Sequence, residues 1–283
     1  LDDLDAAAYD LALLPFDSRV LAPGRRPWAG TALFRALLEL ARDLPRAAVC
    51  FDAPPAPGRE GDEGAAAALD ALRRELADIP VVCASHQARQ AWGFAASTVI
   101  WPGVSPLEFP PGDNAKACLT LPRRDMEAAP LAAGEAVGRR VAELVREVCA
   151  VDALDVPPPP PGYEPGSPEW SMAAFQNYAR TLGQYAVYLN PTVDVPMPRR
   201  RLEAMVAGAI PVSLRNHDVD LFIQSGVNGF YADSAEELAE QVRWLVQNPR
   251  GREAIRRQAV TTAMDIGNVD RHLAAWADLL AKL

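Results

Sequence analysis

The stretch from Tyr185 to Tyr231 limits most what this chain can fold into. It opens on a short apolar run, Ala186 to Leu189, that reads as a buried strand. Pro191, Pro196 and Pro198 then keep the backbone out of regular structure until Arg199. The run RRRLEAMVAG, from Arg199 on, reads as a short helix closed by Gly208. Ile210 to Leu214 is a second buried strand. Strand, loop, helix and strand in that order make a βαβ unit. Ligands of such sheets sit where the strand hands over to the helix.

The helix between the two strands carries informative chemistry. Leu202, Met205 and Val206 form its apolar stripe. Arg199 and Glu203 lie four apart along one edge of it, and Arg201 falls on the far edge. A helix N-terminus offers unpaired N–H groups and the positive end of a dipole, which favour phosphate. Arginines beside it add forked donors suited to a diphosphate, and a carboxylate one turn further in can accept from sugar hydroxyls. The plain alternative is a solvated Arg–Glu pair on a surface helix. Against it, arginine before glutamate is the poorer order for a simple i,i+4 pair.

These residues also carry a resemblance. The run from Pro196 to Met205 (PMPRRRLEAM), followed by Gly208, Pro211-Val212 and Gly226-Val227-Asn228-Gly229-Phe230, resembles the C-terminal domain of retaining GT-B glycosyltransferases. More narrowly it is similar to the family-four-like branch that carries an MPRxRxEAM segment. The likeness is borne by the last third of the chain. It implies an α/β fold of two Rossmann-like domains facing a cleft, with the N-terminal domain shortened here. It also implies transfer of a sugar, with retention, from a nucleotide-diphosphate sugar to an acceptor glycan or other hydroxyl compound. Glycan or cell-surface polysaccharide synthesis is the implied setting, with a cytoplasmic location, no cofactor and no metal. Peripheral association with a membrane is compatible with it.

The resemblance assigns roles residue by residue. Glu203 matches the glutamate that contacts the nucleotide ribose. The glutamate that contacts the donor sugar is replaced by Val195, and Asp194 beside it offers a carboxylate. A loop after the first C-domain strand, Ala117 to Leu121, supplies a diphosphate arginine, which either Arg123 or Arg124 matches. The lysine that should follow is absent, and Arg199 or Arg201 stands in. Pro198 frames the donor turn. His217 and Asp220, between the second strand and the apolar Leu221-Phe222-Ile223, fall in a loop that would face the donor. Ser85-His86-Gln87 matches a similar run in the family, which makes His86 a candidate cleft contact. Read from the residues alone, Ser85 is an N-cap for the helix after it, and Arg123 and Arg124 form an exposed turn.

The rest of the chain narrows the options. At 283 residues and 49% hydrophobic content it can bury one or two cores. Its net charge of −9 argues against nucleic acid as a partner, since phosphate backbones demand a basic face. Cys50, Cys83, Cys118 and Cys149 have no CxxC spacing and read as small buried thiols. No apolar run is long enough for a membrane span. The chain begins at Leu1 without a signal peptide, and we expect an N-terminal piece to be missing.

Along the chain, strands are expected at Tyr9–Pro15, Ala47–Phe51, Ile79–Ala84, Ser97–Trp101 and Ala117–Leu121. Helices are expected within Ala29–Leu44 and at Ala65–Ala77, Gln87–Gly93, Val137–Val148, Met172–Leu182, Ser234–Gln247, Arg250–Met264 and Asp270–Leu283. A short helix from Asp218 ends at Gly226. This alternation implies parallel sheets covered on both faces. Domains are expected at 1–112 and 113–267, with the helix from 268 to 283 crossing back to the first. The prolines at 157–161 read as a stiff surface connector, and Trp170, Phe175 and Tyr178 as packing. A nucleotide-sugar-binding protein without transferase activity is the reading from a different class, and a nucleotide-sugar epimerase is a third.

Overall fold

The computed structural model describes residues 8–21, 29–54, 64–120, 135–159, 161–192 and 195–283. Two compact units emerge: Leu1–Trp101 with Leu273–Leu283, and Pro102–His272. The segment expected to link them, up to residue 112, belongs with the second unit. Its backbone says why: Val104 N donates to Gly267 O at 2.8 Å and Gly112 N to Ala207 O at 3.3 Å. Phe109 between them is fully buried.

In the first unit, β1 (Ala12–Phe16), β2 (Arg46–Cys50), β3 (Val81–Cys83) and β4 (Ser97–Val99) form a parallel sheet in the order β1-β2-β3-β4. The crossovers carry helices α1 (Ala29–Leu40), α2 (Ala65–Glu75) and α3 (His86–Trp92). The first strand starts later than Tyr9, which is exposed. The core is aromatic: Phe16 meets Phe34 and Trp92 at 5.3 and 5.4 Å, and Trp92 stacks on Phe94 at 5.5 Å. Cys50 and Cys83 are opposite one another across β2 and β3. Both are buried free thiols, and burial pushes both up, Cys83 to about 11.

The second unit is a five-stranded parallel sheet of β5 (Lys116–Thr120), β6 (Val151–Ala153), β7 (Tyr185–Asn190), β8 (Ile210–Leu214) and β9 (Phe230–Ala232). Its helices are α4 (Glu135–Arg146), α5 (Pro168–Leu182), α6 (Arg199–Val206), α7 (Val219–Phe222), α8 (Ala235–Gln247) and α9 (Pro249–Ile266). A last helix, α10 (Val269–Leu280), starts in this unit, and its residues from Leu273 on group with the first. Every residue of β7 and of β8 is buried. Leu189, Ile210 and Val212 pack there with Leu238 and Val242 of α8, each side chain contributing about 1.5–3 kcal/mol of burial. Asn177 Nδ2 donates to Pro157 O and Pro158 O at 3.0 and 3.1 Å, so the proline segment is fastened to α5.

Strand order decides where this unit can hold a ligand. The sequence β6-β5-β7-β8-β9 means that the chain lays β6 on one side of β5 and all later strands on the other. The winding reverses between β5 and β7, which opens a crevice at the carboxyl ends of those two strands. The first sheet steps in one direction only and has no such reversal among the described residues.

Candidate functional site

The crevice is built from the ends of β5, β7 and β8. At the end of β5, Thr120 Oγ1 donates to Leu189 O at 3.1 Å and fixes the strand spacing. Arg123 and Arg124, which follow, lie outside the described residues, as does Asp194. At the end of β7, Asn190 is fully buried and its Oδ1 accepts from Thr192 N at 3.0 Å and Thr192 Oγ1 at 2.7 Å. Its Nδ2 finds no partner among the described residues, and an unmatched buried donor calls for an explanation. Asn216, after β8, donates through Nδ2 to Thr192 O at 3.0 Å, which ties the two loops together.

Arg201 completes this network. The resemblance expects it to face a diphosphate, and the structure places it wholly buried. Its Nη1 donates to Asn216 Oδ1 at 3.1 Å and Ser213 Oγ at 3.4 Å, and its guanidinium lies over the Phe222 ring at 4.5 Å. Burial lowers its pKa to about 9, opposed by Tyr188 and Asp218. The burial arises because Ser213 of β8, Asn216 after it and Phe222 of α7 cover the far edge of the helix stripe. Arg201 holds the crevice wall from behind.

Arg199 and Glu203 stand in front. Pro198 is the N-cap of α6 and offers no capping side chain, and Arg201 N donates back to Pro198 O at 3.0 Å. Arg199 Nε meets Glu203 Oε1 at 2.8 Å. The arginine side chain is 56% exposed and the glutamate side chain 7%. The pair is therefore not the solvated one of the plain alternative, because one member is sunk into the unit. The other carboxylate oxygen, Oε2, accepts a short hydrogen bond from the Tyr178 hydroxyl of α5. Burial and then the nearby carboxylate raise the Tyr178 pKa far above its ordinary value. Tyr178 was read as packing, and it does pack, edge-on to Phe109 at 6.0 Å. Its second role spans 25 residues of sequence and leaves no local signature.

The remaining candidates separate. His217 is buried with φ of +26°, and Met197, in the loop before α6, has φ of +22°. Left-handed backbone at non-glycine residues concentrates at functional loops, and these two flank the crevice from β8 and β7. Asp220 lies in α7 and meets Arg215 Nη1 at 3.5 Å in a half-exposed pair. His86 belongs to the first unit, where it opens α3 and meets Trp101 edge-on at 5.9 Å. Ser85 caps that helix, accepting from Ala88 N at 2.9 Å. Among the described residues no cluster of three or more His, Cys, Asp or Glu could hold a metal. A cavity of about 130 Å³ lined by Asn114, Ala186, Arg252 and Arg256 sits at the opposite, amino ends of β5 and β7.

Comparison with known proteins bears on the same region. Residues 162–275 match the profile of a glycosyl transferase-like family. A search of curated protein sequences finds no match. Among solved structures, HepE of Anabaena in complex with UDP-glucose superposes with a TM-score of 0.65 at 15% identity, over 98% of this chain and 80% of that one. Its complex with UDP alone gives 0.67 at 14% identity, over 98% and 80%. Sucrose-phosphate synthase of Thermosynechococcus elongatus gives 0.65 at 11% identity, over 97% and 74%. With its parallel α/β units and these likenesses, the chain has the GT-B fold.

Proposed function

We propose that this protein is a retaining glycosyltransferase that takes its donor, a nucleotide-diphosphate sugar, in the crevice at the carboxyl ends of β5 and β7. The observation that carries this reading is the buried Glu203 carboxylate, held by Tyr178 and Arg199 one turn inside an uncapped helix start. That assembly lies within the stretch that matches the glycosyl transferase-like profile. The structural neighbours solved with UDP and UDP-glucose favour uridine diphosphate as the nucleotide. Glu203 accepts from the ribose, and Arg199, the start of α6 and one of Arg123 or Arg124 face the diphosphate. Asp194, His217 and Asp220 are the side chains we assign to contact with the donor sugar.

The reaction needs no protein nucleophile. The leaving diphosphate takes the acceptor proton on the face where the acceptor oxygen attacks. The protein's part is to hold charge as it grows, a contribution of about 3–4 kcal/mol per well-placed donor. The acceptor is a glycan or other hydroxyl compound. We place the protein in the cytoplasm, in peripheral contact with a membrane, and in glycan or cell-surface polysaccharide synthesis.

One observation favours a second reading, a nucleotide-sugar-binding protein without transfer. Val195, which supplies no acceptor or charge, occupies the position where the resemblance calls for a sugar-contacting glutamate. A thermal-shift screen with UDP, GDP, ADP and their glucose conjugates tests binding. Release of UDP from UDP-glucose, with and without Glu203→Ala, tests turnover. Stabilisation by UDP with no release under any acceptor would leave only the binding reading.

A further inference from the structure

The nucleotide-diphosphate reading has a further consequence at Glu203, and the inference here rests on it. Both oxygens of that carboxylate are occupied: Oε1 by Arg199 Nε at 2.8 Å, Oε2 by the Tyr178 hydroxyl. The two partners differ in kind. Tyr178 is half-buried on α5 and wedged against Phe109 and Phe175, with ring centroids 6.0 and 6.4 Å away. Arg199 is the first residue of α6, and more than half of its side chain is exposed. Glu203 itself shows only 7% of its side chain to solvent, and of its two partners Arg199 is the one that reaches solvent. A ribose hydroxyl that donates to Oε1 meets the guanidinium already there.

The exchange has a natural driving force. A solvent-facing arginine gains little from one carboxylate. A diphosphate carries more charge and matches the guanidinium fork with two acceptors. We propose that Arg199 is an exchangeable latch on Glu203, closing Oε1 while the site is empty and leaving it for the diphosphate when nucleotide arrives. Tyr178 holds Oε2 throughout and is a positioning residue, keeping the carboxylate aimed while its other oxygen changes partner. The steps are hydrogen-bond exchanges only, and no proton or covalent bond moves. Recognition of ribose and of diphosphate is then cooperative. A nucleoside without phosphates must open the latch unaided.

The test titrates UDP, uridine and 2′-deoxyuridine into the intact protein by calorimetry and NMR, for the parent, Arg199→Ala and Tyr178→Phe. In Arg199→Ala, UDP binding weakens roughly tenfold, the loss of one charge-assisted contact. Uridine binding tightens by up to about fivefold, the strength of an exposed ion pair. Tyr178→Phe lowers the preference for uridine over 2′-deoxyuridine, which a merely structural role for the ring would leave unchanged. Arg199→Ala protein that melts like the parent, binds UDP less well and shows no gain for uridine overturns the latch while leaving the nucleotide reading in place. A parent protein that binds no UDP overturns both.

Discussion

Arg201 and Tyr178 show how much of this site is support. Arg201 is a buried cation held by Asn216, Ser213 and the face of Phe222. Removing it leaves two buried acceptors without a donor and a void behind the crevice. Arg201→Ala should cost about 3 kcal/mol of stability, read as a lower urea midpoint. Tyr178 makes a prediction in pH. Its folded pKa is raised above the ordinary 10.0 by burial and by Glu203. The folded chain therefore keeps a proton that the unfolded chain gives up. The hydroxyl's stabilisation is complete below pH 10 and is lost as pH rises above it. Urea denaturation from about pH 8 to about pH 11 should show the parent's margin over Tyr178→Phe shrinking at the alkaline end.

The elements were legible where the sequence was apolar and unevenly so elsewhere. β7, α6 and β8 stand out because two fully buried strands flank a short helix with a clear stripe. β6 and β9 were missed. Each is an edge strand of three residues, too short to show a period, and β6 has Asp152 and Ala153 exposed. The closure of α6 was legible for a stereochemical reason: Gly208 has φ of +95°, which disfavours a side chain. An added Cβ there would also lie 2.8 Å from Asn114 Oδ1. Asn114 is not free to yield, since its Nδ2 donates to Gly183 O and Tyr185 O at 3.1 and 2.8 Å. Gly208→Ala should destabilise by about 2 kcal/mol, measured by chemical denaturation. The site was legible only in part. Stripe and spacing marked Glu203 and Arg199, but the burial of Arg201 and the reach of Tyr178 depend on tertiary neighbours that no local pattern encodes.

At the scale of the molecule there are two separate cores. One gathers around Phe16, Phe34 and Trp92, the other around Leu189, Ile210 and Val212. A ligand held by one unit stabilises that unit by mass action, about 2.7 kcal/mol at a hundredfold excess over Kd. Calorimetry should resolve two unfolding transitions, with UDP raising one of them. Phe34→Ala, a core truncation costing about 3–5 kcal/mol, should lower the other and leave the UDP shift in place. A UDP shift in both transitions, or in neither, would contradict donor binding by the second unit alone.

The one-way march of β1 to β4 has a consequence of its own. Among the described residues that sheet does not double back and has no switch-point slot at its strand ends, which leaves its connecting loops as the part able to grasp a ligand. Loops can be swapped while the strands beneath stay as they are. Ligand preference in that unit would then be the trait easiest to alter, with that of the other unit fixed more firmly by how its sheet is wound.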